Sequence, residues 1–156
     1  MTASLSTFAT PRVLKALRLR LLANQRLADR LGRGSARPNA PAVYTEAAVP
    51  ASVTTGEYVT IGPFSEVPQN TMGGGAHWGR DLTAAIKVVS YTPDPAVGYG
   101  LVEQIVRELD GLALEVEGYR TGWVVLEVIP DAYVELVAGV PVQHFPMIFR
   151  VHVHES

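Results

Sequence analysis

Cysteine is absent from the 156-residue chain. That absence removes disulfides, thiolate nucleophiles and cysteine-based zinc sites together. It fits a protein of a reducing compartment, or one that needs no covalent staples. Long apolar runs are also missing: no stretch approaches the ~20 residues of a membrane span, so no membrane partner is expected. Met1 to Thr10 has no basic segment leading into an apolar one, so a signal peptide is not expected. Charge is sparse, at 18% of residues, against 47% hydrophobic, a balance that favours folding over disorder. There is no internal repeat and no low-complexity tract. A chain of this length suits one compact domain with its own core.

The few charges are unevenly placed. Up to Ala40 there are eight basic residues (Arg12, Lys15, Arg18, Arg20, Arg26, Arg30, Arg33, Arg37) against the single acid Asp29, while the rest carries five basic and fourteen acidic residues. Such asymmetry suits a nucleic-acid contact or head-to-tail docking between copies. It equally suits a surface helix that needs charge for solubility.

Periodicity places a helix over residues 11–31, with Thr10 as its cap and Pro11 at its first position. Val13, Leu14, Leu17, Leu21, Ala28 and Leu31 form its apolar stripe. Arg12, Lys15, Arg26 and Arg30 lie opposite, and Leu19 and Leu22 fall among them as candidates for a partner surface. Gly32 and Gly34 end the helix. Residues 33–42 read as a loop, Val43 to Ala48 as a short strand, and Gly56 to Gly62 as a second strand. Residues 63–80, with Pro63, Pro68 and four glycines, read as a long flexible loop.

Asp81 to Tyr91 alternates as a strand with Leu82, Ala84, Ile86 and Val88 inward. Pro95 to Leu109 is a second amphipathic helix, stopped by Asp110-Gly111. Trp123 to Ile129 reads as a buried strand that Ala132 to Val137 extends past Pro130. Gln143 to His154 closes the chain, with Phe145, Met147, Phe149, Val151 and Val153 on one face and Ile148, Arg150, His152 and His154 on the other. The expected fold is α+β, an antiparallel or mixed sheet of four to five strands with two helices packed on one face. Residues 1–10 are expected to be a flexible N-terminus and 11–154 a single domain.

Reactive constellations are hard to find. His152 and His154 share one side of a strand, a spacing that can chelate a metal, but only Glu155 is at hand as a further ligand. Alternating polar residues on a solvated sheet face are the simpler reading, so no metal site is expected. Gly73-Gly74-Gly75 lacks the Gly-Lys-Ser/Thr ending of a Walker loop and the Gly-x-Gly-x-x-Gly of a dinucleotide loop. Flexibility suits it better. Met72 and Trp78 flank it, so the loop is suited to order against a partner, although Trp78 could equally pack on the core. Glu115, Glu117, Glu127 and Glu135 are spread along strand positions rather than paired for acid–base work. No catalytic residue and no cofactor is expected.

The order and spacing of these segments resemble the tail-completion, or tail-terminator, proteins of long-tailed bacteriophages. The likeness spans roughly residues 11–153. It runs through the helix Val13-Leu14-Lys15-Ala16-Leu17 to Leu27-Ala28-Asp29-Arg30-Leu31-Gly32, then Val43-Tyr44, then Tyr58-Val59-Thr60-Ile61-Gly62. Lys87-Val88-Val89-Ser90-Tyr91, the segment Leu114 to Arg120 and Phe149-Arg150-Val151-His152-Val153 complete it. Thr45 to Val53 and Pro130 to Pro141 are longer than that pattern, and the triple glycine is unusual for it. The resemblance implies a non-enzymatic virion protein of the tail or neck, assembled in the host cytoplasm. It implies a homo-oligomer, a hexameric ring that ends tail-tube polymerisation, joins tube protein to the head–tail connector or stopper, and lets DNA pass through its lumen without sequence-specific binding. The interface residues proposed on this reading are Arg12, Lys15, Leu19, Leu22, Arg26, Arg30, Met72, Gly73, Gly74, Gly75 and Trp78. An adaptor or stopper of the neck is the neighbouring alternative. A basic-helix nucleic-acid binder is the alternative of another class.

Overall fold

A computed structural model describes residues 8–31, 42–45, 48–50, 53, 55–70, 78–120 and 122–155. Three helices, α1 (Thr10–Ala23), α2 (Gln25–Arg30) and α3 (Pro95–Leu109), pack with eight strands: β1 (Val43–Thr45), β2 (Glu57–Asn70), β3 (Trp78–Ser90), β4 (Ala113–Leu114), β5 (Tyr119–Arg120), β6 (Gly122–Val128), β7 (Tyr133–Val137) and β8 (Val140–Glu155). The class is α+β, as expected, but the sheet holds more strands than four or five. Its order is β1-β2-β3-β8-β6-β4, and β5 and β7 also pair with β8. Among the described strands only β1 and β2 run parallel. The extra strands β4 and β5 have two residues each, too short to carry a periodic signal, and β7, expected as an extension of β6 past Pro130, is a separate strand paired with β8.

One face of the sheet holds the core. Val59, Ile61, Leu82, Ala84, Ile86, Val88, Phe145, Met147, Phe149 and Val151 are buried there beneath Val13, Leu17 and Leu21 of α1 and Leu101, Ile105 and Leu109 of α3. Each fully buried aliphatic side chain contributes about 1.5–3 kcal/mol. The alternation expected for β3 and β8 is present from Leu82 to Val88 and from Phe145 to Val153, while Val89 and His144 are buried on the other face.

The single helix expected over 11–31 is broken. Asn24 is extended (φ −81°, ψ 102°), and its side chain accepts a hydrogen bond from the Leu27 N–H at 3.1 Å, which caps α2. The break turns the second segment, so Leu27 is buried at the position the unbroken stripe gives to Ala28. The start of α1 also differs. Ala9, not Thr10, is the N-cap, and it offers no side-chain cap. Glu66 of β2 fills that role from 57 residues away. Its carboxylate accepts from the Ala9 N–H at 2.7 Å, the Thr10 N–H at 3.2 Å and the Thr10 hydroxyl at 2.7 Å. A carboxylate here meets the positive end of the helix. Ala9 is fully buried, so residues 9 and 10 belong to the folded domain rather than to a flexible leader.

The long loop expected over 63–80 is mostly strand. β2 runs on to Asn70 and β3 begins at Trp78, pairing from Asn70↔Trp78 inward. Proline is ordinarily a breaker of strands, but Gly62-Pro63 sits in a bulge where the register shifts between Ile61 and Phe64. Pro68 lies beyond the three residues that pair with β1, on a stretch of β2 whose outer edge is unpaired among the described strands. Residues 71–77, with Met72 and the triple glycine, lie outside the described residues, as do residues 1–7 and 32–41.

Candidate assembly surface

The basic helix is largely engaged by the protein itself. Arg18 Nε donates to the Val43 carbonyl at 3.0 Å, and Arg20 pairs with Glu108 at 2.8 Å. Arg30 lies over α3, where it donates to Gln104 at 2.9 Å and approaches Gly100. Arg12 donates to the Glu117 carbonyl at 3.1 Å, and its guanidinium sits 6.0 Å from the Tyr119 ring centre. Arg12, Lys15 and Leu19 do lie together. They line a groove between α1 and the segment around β4, whose other wall includes Glu115 and Glu117. The groove continues along Arg20, Leu112, Ala113 and Leu114 with a volume of about 440 Å³. Leu19 is exposed at its rim. Leu22 is not part of this surface: it is half-buried against the core, because α1 faces the sheet with a wider stripe than its three innermost residues. Arg26 is exposed on α2, away from the groove-lining residues. Trp78 opens β3, and the position of its side chain lies outside the described residues.

A second surface was not anticipated. From Asp131 to Pro141 every residue is exposed. β7 pairs only with the first residues of β8, Tyr133↔His144 through Val137↔Val140. The intervening turn is Ala138-Gly139, both at positive φ (50° and 79°), as a two-residue hairpin of matched twist requires. β3 stops pairing with β8 at Gln143, so the hairpin extends beyond the sheet. It carries Val134 (64% exposed), Leu136 (71%), Tyr133, Val137 and Val140 to solvent. β6 adds Trp123, Val125 and Val128 on its outer side, with Ile129 beyond. Trp123 to Ile129 is expected as a buried strand, but only Gly122 and Val124 of β6 are buried. The signal available was the run Val134-Glu135-Leu136-Val137-Ala138-Gly139-Val140, two apolar arms around a glycine. Ala-Gly is a weaker turn signature than Asn-Gly, which hides the hairpin.

His144 anchors the hairpin's base. Its ring stacks on Tyr133 at 4.7 Å with an interplanar angle of 3°. Its Nε2 comes within 2.9 Å of Glu135 without the alignment of a hydrogen bond. Burial, and then the Lys87 charge, hold His144 below its ordinary range, and Glu135 opposes them only in part. Tyr58 is pushed up to about 12 by burial and by neighbouring Tyr91, Glu135 and Tyr44.

The two imidazoles share a face, as expected. His152 Nε2 lies 2.9 Å from His154 Nε2, and His152 Nδ1 contacts the Asp81 carboxylate. Among the described residues no group of three or more His, Cys, Asp or Glu is arranged to hold a metal ion. Nor, among them, is any helix long and apolar enough to cross a membrane.

No family model matches the chain, and no curated protein matches it. Solved structures do. One is a chain from the virion of a native gene transfer agent particle, with a TM-score of 0.70 and 20% identity, covering 96% of this chain and 99% of that one. The chain therefore shares, over nearly its whole length, the fold of a chain in a gene transfer agent virion particle.

Proposed function

We propose that this protein is a structural component of a phage-type virion, a tail terminator that forms a ring on the end of the tail tube and joins it to the head connector. The observation that carries the reading is the end-to-end fold likeness to a gene transfer agent virion chain, in which neither protein has a large unmatched part. The apolar hairpin supports it, because exposed apolar surface of this kind marks a protein–protein contact. The engagement of Arg12, Arg18, Arg20 and Arg30 with groups of the same chain leaves fewer cations to meet phosphates, which weighs against the basic-helix nucleic-acid binder.

In this reading a ring of six copies, held by head-to-tail contacts, stops tube polymerisation, and DNA passes through the lumen. The test mixes purified protein with tail tubes and with head connector in parallel. Retention on tube ends supports the terminator. Retention on the connector alone would move the protein to the neck as an adaptor or stopper, and retention on neither would overturn the reading.

A further inference from the structure

An isolated two-stranded hairpin is at best marginally stable in water. The β7–β8 hairpin nevertheless projects past the sheet with apolar residues on both of its faces. β7 also leaves one backbone edge unpaired among the described strands. The opposite end of the sheet has a matching feature. Among the described strands β4 is the terminal one, with its outer edge unpaired, and the groove between that edge and α1 exposes Leu19 and Ala113.

We propose that the hairpin of one copy docks in the α1–β4 groove of a second copy, with β7 adding to the β4 edge and Val134 and Leu136 entering beside Leu19. This rests on the ring reading above and names its subunit contact.

Three observations select a second copy as the occupant. First, the hairpin cannot reach the groove of its own copy. β4 pairs with Gly122 and Trp123, next to Val124, which pairs with Val151, whereas the hairpin turn precedes Val140. That separation is roughly 35 Å along β8. Second, the charges suit each other. Residues 131–142 carry Asp131 and Glu135 and no base, and the α1 wall of the groove carries Lys15 beside Arg12 and Arg20, which are themselves held by the Glu117 carbonyl and by Glu108. Glu115 and Glu117 stand on the β4 wall, so Lys15 on the α1 wall is the cation that would meet Glu135 of the entering hairpin. Third, the two features differ, and each copy has one of each. Such a contact is heterologous, so each copy gives a hairpin to one neighbour and receives one from the other, which closes into a ring when the rotation allows. Backbone pairing at a sheet edge supplies affinity, and the alternate side chains of the added strand supply register.

The test uses the full chain and the absence of native cysteine. Leu136 and Leu19 are both exposed, so Leu136→Asp and Leu19→Asp should keep the wild-type circular dichroism and melting temperature. Each should weaken self-assembly, alone or on tail tubes, by about thirtyfold or more, as loss of a central anchor does. Mixed in equal amounts, the two variants should stop at dimers, because only one intact contact is possible per pair. A chain bearing both Leu136→Cys and Leu19→Cys, treated with a short bis-maleimide, should give a ladder of cross-linked multimers, whereas equal parts of the two single variants should give cross-linked dimers only. Wild-type rings that form while neither aspartate variant is weakened and no cross-link appears would overturn the hairpin contact and leave the ring reading standing. Cross-linked open-ended chains without closed rings would support the contact and overturn the ring. A wild-type chain that stays monomeric even with tubes would overturn both.

Discussion

Glu66 shows how much one residue can settle when its partners are remote in sequence. Burial alone would raise its carboxyl. The Ala9 N–H, the Thr10 hydroxyl and N–H, and the Arg80 guanidinium 3.1 Å away outweigh that and hold it below its ordinary value of 4.5. A carboxyl depressed in the folded state stabilises fully above its unfolded pKa and loses that contribution as pH falls through the folded one. Glu66→Gln should therefore cost about 1–3 kcal/mol at neutral pH, as lost charged hydrogen bonds and a lost cap do. It should also flatten the loss of stability below pH 4.5. Urea unfolding from pH 3 to 7 checks both, and an unchanged acid limb in the variant would remove Glu66 from the account. His144 acts higher on the scale. Its folded pKa lies below 6.5, so the unfolded chain takes up the proton first on acidification, and stability intact above 6.5 is lost as pH falls below it. An NMR titration of its ring should give a midpoint under 6.5; a midpoint at or above that value contradicts a buried ring at the hairpin base.

At the scale of elements, close packing sets the tolerances. A Cβ at Gly98 of α3 would lie 2.1 Å from the Phe145 ring, and one at Gly122 of β6 would lie 1.5 Å from the His152 carbonyl oxygen. The ring can shift at a cost, whereas the backbone cannot. Gly98→Ala should destabilise by about 1–3 kcal/mol, and Gly122→Ala should cost more and loosen the β6–β8 pairing. Thermal melts with amide exchange on Val124 and Val151 measure this, and equal small effects would contradict the packing.

Much of this architecture is legible in the chain itself. β3, α3 and the inward face of β8 follow from periods of 2 and 3.6 within long runs, and α3 has Asp94 capping and Pro95 leading it. The break at Asn24 is not legible, because Asn24 carries no helix-ending signal until its side chain finds the Leu27 N–H. Neither is the extension of β2 past Pro63 and Pro68, which depends on a bulge and an open edge that only the sheet defines. Of the assembly surface, Arg12, Lys15 and Leu19 could be named from helix geometry. The hairpin could not, because its apolar residues look like core until the sheet places them beyond any helix.

At the scale of the whole molecule, the long strands and the two helices above them leave two dissimilar ends: a grooved one with cations on its α1 wall and acids on the other, and a projecting, apolar and acidic one. A molecule with one of each is suited to repeat itself around an axis, and fold likeness along its whole length connects it with a virion chain. Rings held partly by charge should loosen with salt over the range in which the Debye length shrinks from ~10 to ~3 Å. The apolar hairpin contact should keep part of the assembly intact there, which sedimentation in 0.1 and 1 M salt would register. The central claim is met most directly by electron microscopy of the purified protein added to tail tubes. The account predicts a closed ring of six subunits seated on the tube end and tubes that no longer elongate. Tubes with bare ends that continue to grow in the presence of excess protein would contradict it.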